Sequence, residues 1–179
     1  MKLVTGQLNR VWLRNILNSS ISEAIWVKAA IAYANDESSL IDFCFKNNIP
    51  LEFFGRYDCS VPVKPSLLRK FLRNDNFNHI CKIIPDIFHP KVIWWGGYGA
   101  YIGSANLTDR AWVSNIECGI FLTEIELINN GMDLELEKFF ENINKYAHPV
   151  TEEIINELER FNRERQELEN KLNAFDEKQ

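Results

Sequence analysis

Apolar and polar residues follow one another in blocks that predict alternating helices and strands. Residues 11–17 carry apolar positions broken by polar ones, which favours a short amphipathic helix. The mostly apolar run of residues 26–34 is typical of a buried strand, and residues 36–39 indicate the start of a helix after it. A second strand is predicted over residues 51–55, and a further helix from Pro65. This alternation predicts an α/β fold.

The middle of the chain changes to short strand-like runs. They cover residues 79–84, 88–95, 100–104 and 116–122. The sequence Gly96-Gly97-Tyr98-Gly99 separates the second run from the third and is a strong turn signal. These two runs are therefore predicted to form a hairpin.

The chain is predicted to be helical from Thr123 to its end. Pro149 divides this region, and Thr151 with the two glutamates after it indicates a new helix start. Beyond it, apolar residues recur at spacings of four and three, with Arg165 in one slot: Ile154, Leu158, Phe161, Leu168, Leu172 and Phe175. The stripe predicts either a helix packed on its own domain or a dimerisation or partner helix. The last residues give no clear cap signal, so a fragment of a longer protein is one interpretation.

Length and composition fit one domain of ordinary size, or one domain with an appendage, since the chain has 179 residues of which 46% are hydrophobic. No apolar run reaches the roughly 18 residues that a membrane span needs. The first residues also lack the apolar stretch of a secretory signal, so we expect a cytoplasmic protein. The four cysteines are widely spaced, which favours reduced thiols over a zinc site or a disulfide framework: Cys44, Cys59, Cys81 and Cys118.

The negative charge is concentrated at the C-terminal end of the chain. The whole chain has a formal charge of −5, with +3 over residues 1–123 and −8 over residues 124–179. The first part is therefore slightly basic, which permits a substrate that carries phosphate.

Five polar residues in the middle of the chain are candidates for chemistry. His89 and Lys91 are two residues apart in a predicted strand, so strand alternation places both on one face. Ser104 and Asn106 share a face if that stretch stays extended, and the hairpin would bring the two pairs side by side. Glu117 is an acid inside an otherwise apolar run, so it needs a partner.

This combination resembles the phospholipase D superfamily. The resemblance rests on His89-Pro90-Lys91, Gly103-Ser104-Ala105-Asn106 and Asn115-Ile116-Glu117. It is greatest to the small nucleases of that superfamily and to similar domains of restriction and defence proteins, which carry one such motif per chain and dimerise. The sequence departs from the family pattern at Gly96, where the family has Asp.

The resemblance implies an α/β fold with a phospholipase D-like mixed β-sheet flanked by helices and a C-terminal helical extension. A catalytic domain would span residues 1–148, and an amphipathic or coiled-coil helix residues 149–179. The implied activity is that of a metal-independent nuclease with a phosphohistidine intermediate and a site shared by two subunits. No cofactor and no metal are expected.

The resemblance also implies a role for each residue. His89 would attack phosphorus, and His89 of the second subunit would protonate the leaving oxygen. Lys91 and Asn106 would bind the non-bridging oxygens. Ser104 would support the phosphate or the histidine. Glu117 would accept a hydrogen bond from the far ring nitrogen of His89 and so fix its tautomer.

The expected partners are nucleic acid, with DNA ahead of RNA, a second copy of the chain, and a further protein at the C-terminal helix. No membrane partner is expected. Two other functions stay open at this point. One is a phospholipase D-type lipid hydrolase, which the missing basic amphipathic helix disfavours. The other is a non-catalytic module that binds nucleic acid or assembles with proteins.

Overall fold

The structure, a computed structural model, describes residues 1–20, 22–35 and 39–176, and in the last helix the side chains as far as Lys171. Within this part the chain forms eight strands and seven helices. The strands are β1 Lys2–Gly6, β2 Trp26–Ile31, β3 Leu51–Tyr57, β4 His79–Pro85, β5 Lys91–Gly96, β6 Gly99–Gly103, β7 Ile116–Thr123 and β8 His148–Pro149. The helices are α1 Leu13–Ser20, α2 Ser39–Asn47, α3 Pro65–Leu72, α4 Asp109–Val113, α5 Glu124–Asn129, α6 Met132–Asn144 and α7 Glu152–Asp176.

All the strands join in one mixed sheet, in the order β1-β7-β6-β5-β2-β3-β4-β8. β2 and β3 are parallel, as are β3 and β4, and the other neighbours are antiparallel. Alternation along β2 sends Ala29 and Ile31 into one core cluster and Ala30 into the other. Helices α1 to α4 and α7 pack in the first cluster, and α5 and α6 in the second. The predicted mixed sheet between helices is confirmed.

Several predicted elements are confirmed with shifted ends. The predicted strand over residues 26–34 ends at Ile31, because the next pair in the register is Ala32 with Pro90, and Pro90 accepts the Ala32 N–H but has no N–H to return. Helix α2 begins at Ser39, and residues 36–38 of its predicted start lie outside the described residues. The predicted hairpin forms between β5 and β6, with Trp95 opposite Gly99.

Three short elements were not predicted. β1 is an edge strand whose first residues are exposed, so it has no apolar run. α4 has five residues, too few to produce a period. The prediction that the chain is helical from Thr123 onwards is wrong at β8, which pairs with β4. A strand of two residues leaves no alternation to detect.

Helix α7 divides into two halves. Ile155 and Leu158 are fully buried in the same core as α3, so the first half packs on the domain. In the second half Leu168 is 61% exposed, and Arg165 donates from Nη1 to the Ser60 carbonyl oxygen at 2.8 Å. Leu172 and Phe175 of the predicted stripe lie outside the described side chains. The division of the chain at residue 148 stays a prediction.

No helix in the described part of the chain is both long and apolar enough to cross a membrane. The four cysteines form no disulfide: Cys44 and Cys81 are buried, and Cys59 and Cys118 are exposed.

Candidate active site

The five candidate residues lie at or beside one edge of the sheet. The carboxyl end of β6 and the amino ends of β5 and β7 meet there, because these strands are antiparallel neighbours. The carboxyl ends of β2 and β3 also lie there, because β2 is antiparallel to β5 and β3 is parallel to β2. We call this edge, with the segments that leave it, the site edge. Residues of five strands, far apart in the sequence, come together at this edge.

His89 lies just before β5, so the predicted strand over residues 88–95 begins only at Lys91. Pro90 has no backbone N–H to give to a ladder, which explains the late start. The His89 side chain is exposed, and its ring meets the ring of Tyr33 edge-on at a centroid distance of 6.0 Å. The imidazole is therefore accessible to a substrate.

Lys91 contacts the ring of His89 directly. Its Nζ lies 3.1 Å from Nδ1 and 3.3 Å from Nε2, and 3.1 Å from the His89 carbonyl oxygen. Because Nζ is almost equally far from the two ring nitrogens, the ammonium lies against the ring and does not point at the lone pair of one nitrogen. Lys91 therefore places a positive charge beside the imidazole.

Charged side chains of two other strands act on the ammonium of Lys91, which lies at the start of β5. Partial burial lowers the pKa of Lys91 below its ordinary value, the Glu117 carboxylate raises it, and the Arg56 guanidinium lowers it. The net pKa is lowered. Glu117 and Arg56 are thus close enough to act on this ammonium, although they belong to β7 and β3.

Ser104 and Glu117 form the second pair at the site edge. The Ser104 hydroxyl donates to Oε2 of Glu117 and accepts the N–H of Cys118 at 2.9 Å. Asn115 Nδ2 donates to Oε1 of Glu117 at 3.3 Å. Within the described residues no hydrogen bond joins Glu117 to His89. The hydroxyl hydrogen of Ser104 is donated to Glu117.

Asn106 stands apart from the other four. The condition under which Ser104 and Asn106 would share a strand face is not met, because β6 ends at Gly103 and Ala105 donates its N–H to the hydroxyl of Tyr101 at 3.2 Å. The carbonyl oxygen of Asn106 accepts from Trp112 Nε1 at 3.0 Å. Its side-chain Oδ1 is buried without a partner in the described residues, and such an atom usually finds one.

Close packing explains the glycine that precedes Ser104. Gly103 lies opposite Gly119 in the β6–β7 register. A Cβ at Gly103 would lie 2.3 Å from the hydroxyl oxygen of Tyr101, and one at Gly119 would lie 2.4 Å from the same ring. The Tyr101 ring therefore fills the space of both missing side chains and holds the strand ends that carry Ser104 and Glu117.

The family departure at Gly96 lies at the other end of β5. Lys91 is opposite Ile31, and Gly96 is opposite Trp26, so the two positions are roughly 16 Å apart at the usual rise of a strand. A Cβ at Gly96 would lie 2.1 Å from the ring of Trp26. Glycine is required by this packing, and an aspartate at this position could not reach the site edge.

Arg56 is a functional candidate that the sequence analysis missed. It lies near the carboxyl end of β3 and is half-buried. Its side chain pairs with Asp58, whose pKa is lowered because hydrogen bonds from Ser60 and the Arg56 charge outweigh the effect of burial. The signal in the sequence is a positively charged residue directly after the predicted strand over residues 51–55.

No group of three histidine, cysteine, aspartate or glutamate side chains in the described part of the chain could hold a metal ion.

The fold, but not the sequence, matches known proteins. No protein-family model and no curated protein matches the sequence. NucT from Helicobacter pylori is similar in structure with a TM-score of 0.61 and 19% identity, over 83% of this chain and 98% of NucT. Nuc from Salmonella typhimurium, a phospholipase D family member, matches with a TM-score of 0.56 and 13% identity, over 83% and 97%.

A third similar structure is the phosphatidylserine synthase of Haemophilus influenzae. Its TM-score is 0.60 at 15% identity, over 91% of this chain and 44% of the synthase. At such identities the likeness concerns the fold. The chain has the phospholipase D fold that its motifs predicted.

Proposed function

We propose that this chain is a metal-independent phosphodiesterase, a nuclease that works through a phosphohistidine and shares its active site between two subunits. The observation that carries the proposal is the contact of the Lys91 ammonium with the exposed ring of His89. This pair is the centre of the motif on which the resemblance to nucleases rests. The slightly basic charge of residues 1–123 also supports a substrate rich in phosphate.

The first step is attack by a ring nitrogen of His89 on phosphorus. The nitrogen–phosphorus bond forms as the bond to the leaving oxygen breaks, and the leaving oxygen takes a proton from His89 of the partner subunit. That second imidazole then accepts a proton from water, which attacks the phosphohistidine and releases the product phosphate. The partner's His89 enters the first step protonated, and the two steps together return both imidazoles to their starting states.

The negative charge that develops on the phosphate oxygens needs donors fixed in place. Lys91 and Arg56 bring two cations to the site edge. The Asn106 amide, which stands apart in the single chain, keeps the role of a neutral donor only as the resemblance implies it. Donors of this kind stabilise the transition state more than the ground state, because the charge on the oxygens grows during attack.

Glu117 has a second role besides the one that the resemblance implies. In the single chain Ser104 and Asn115 hold its carboxylate, and its charge raises the pKa of Lys91. We propose that Glu117 keeps Lys91 protonated against the opposing effects of burial and Arg56. The bond to His89 stays a prediction for the paired subunits.

The histidines of the chain bear on the source of the second imidazole. The chain has three histidines. The ring of His79 is buried, bonded to Asn74 and to the Ile49 carbonyl oxygen. His148 lies on β8 and lines the same cleft as His89, but no hydrogen bond joins the two rings in the described part of the chain. We propose that His89 of a partner copy, rather than His148, supplies the second imidazole, as the resemblance implies.

Cleavage of labelled DNA and RNA in excess chelator tests the activity. We expect the wild-type protein to cleave at least one of them, and His89→Ala to be slower by at least about 10³-fold, because the attacking group is gone. Lys46→Ala, an exposed lysine in the last turn of α2, is the matched surface control and should cleave normally. No cleavage by a wild-type protein shown to be dimeric contradicts the proposal.

Mixed dimers test whether the site is shared. Equal amounts of wild-type and His89→Ala chains, co-refolded so that they pair at random, should retain about a quarter of the wild-type activity, because only pure wild-type dimers hold both imidazoles. Chains that act alone should retain about half.

A further inference from the structure

A cleft of about 570 Å³ opens beside His89, and the proposed mechanism does not use it. It lies between the end of β4, the segment that leads to β5, and the end of α6 with the residues that follow. Its volume falls in the range of small-molecule sites, roughly 300–1,000 Å³. His89 itself forms part of its wall. A group bound in the cleft would therefore sit next to the proposed nucleophile.

The cleft has apolar walls and a polar rim. Phe88, Phe139 and Ile143 contribute to the walls. Lys145 and Tyr146 lie exposed where the chain leaves α6, and Tyr146 is 69% exposed. None of the described residues that line the cleft is acidic. The lining thus combines flat aromatic surface with a cation and hydrogen-bonding groups.

We infer that this cleft binds an unpaired nucleobase of the strand whose phosphate is attacked by His89, so that the substrate is a single-stranded nucleic acid. A nucleobase has apolar faces and polar edges, which match the walls and the rim. Proteins that bind single strands combine aromatic side chains, on which bases stack, with cations that follow the backbone. Lys145 provides such a cation for a neighbouring phosphate.

Duplex DNA cannot use the cleft without cost, because a paired base must first leave its stack. A base in a single strand enters freely, and each phosphate has a base only one sugar away. This inference rests on the proposed function and adds the substrate class to it.

A binding experiment in an inactive background separates the base from the backbone. His89→Ala protein is titrated with oligothymidylate and with an abasic oligomer of the same length. We expect an added Tyr146→Ala change to weaken binding of oligothymidylate by about 5- to 100-fold, the usual effect of losing one stacking ring. Binding of the abasic oligomer should stay within about twofold, since it has no base to stack.

Two controls accompany the titration. Tyr146→Phe keeps the ring and should bind oligothymidylate nearly as the parent does. Phe77→Ala removes an aromatic ring that is 96% exposed and lies outside the cleft, so it should change neither affinity. Tyr146 is exposed, and its removal should leave the thermal unfolding temperature unchanged.

Cleavage rates on a single strand and on its duplex complete the test. The wild-type protein should cleave the single strand at least about tenfold faster, and Tyr146→Ala should reduce this preference. Equal rates on both substrates, with no effect of Tyr146→Ala, overturn the inference and leave the proposed nuclease intact. No cleavage of any nucleic acid overturns the proposed function instead.

Two other outcomes also overturn the inference. If Tyr146→Ala converts a dimer to a monomer in sedimentation, the cleft belongs to the contact between subunits. If the protein releases headgroups from phosphatidylcholine vesicles and Tyr146→Ala abolishes that release, the cleft holds an acyl chain.

Discussion

The two ends of the β5–β6 hairpin are built in opposite ways. At the turn, Gly96 and Gly99 are buried, and neighbouring atoms fill the space that side chains would need. At the open end, Lys91 and Ser104 direct their polar groups to His89 and Glu117, near solvent. The comparison teaches that one strand pair can separate its tasks: changes at the turn should affect stability, and changes at the open end should affect chemistry.

Of the following variants, Lys91→Met should have the largest effect on turnover. The change keeps most of the apolar stem but removes the ammonium, so nuclease activity should fall by about 10²- to 10³-fold, as when one donor to a developing negative charge is lost. Turnover of oligothymidylate measures it. The denaturant midpoint should hardly move, because no buried apolar contact is lost. A large loss of stability without loss of turnover would contradict the assignment of chemistry to the open end of the hairpin.

Gly96→Asp should mainly affect stability. It introduces the family residue, but its Cβ would lie 2.1 Å from the Trp26 ring, and we expect a loss of about 3 kcal/mol in the free energy of unfolding. Urea denaturation measures this loss. Gly131→Ala is the control: Gly131 has a φ of +66° but nothing within 4 Å, so only backbone strain of about 1 kcal/mol is expected. Equal losses in the two variants contradict the packing argument.

Tyr101→Phe tests the link between the two ends. The ring stays over Gly103, but the buried N–H of Ala105 loses its acceptor, which should cost about 1 kcal/mol. Because Ser104 lies next to Ala105, a decrease in turnover of about threefold is also expected. Tyr98→Phe, at the turn end, should leave turnover unchanged. Unchanged turnover in both variants would mean that Tyr101 supports only the fold.

Glu117→Gln tests the smallest of these differences, a shift of the pH profile, which is read separately from any loss of turnover caused by the predicted bond to His89. Burial lowers the pKa of Lys91, and the Glu117 carboxylate raises it, so removing that charge lowers this pKa further. The alkaline limb of turnover, where Lys91 loses its proton, should move to lower pH. Arg56→Gln removes a charge that lowers the pKa and should move the limb to higher pH. Shifts in the same direction would contradict the assignment of the limb to Lys91.

The sequence predicted the parts of the site that depend on local rules. Alternation and a glycine-rich turn predict the hairpin, and the spacing of His89 and Lys91 predicts that both lie on one face. The predicted strand over residues 100–104 differs from β6 by one residue at each end. The bond of the Ala105 N–H to the Tyr101 hydroxyl just after β6 has no local pattern that signals it.

The remaining parts depend on which strands are neighbours. Ser104 meets Glu117 because β6 pairs with β7 in one register. Arg56 acts on Lys91 because β2, between their strands, is parallel to one and antiparallel to the other. Strand order in a mixed sheet is a property of the whole core, so no single segment of sequence specifies it.

The contact between Lys91 and His89 gives one ammonium two competing neighbours. Its Nζ lies within 3.3 Å of both ring nitrogens. A phosphate bound beside the ring would attract the same ammonium to its own oxygens. The cation that faces the imidazole in the single chain is thus already within reach of the group that the imidazole would attack.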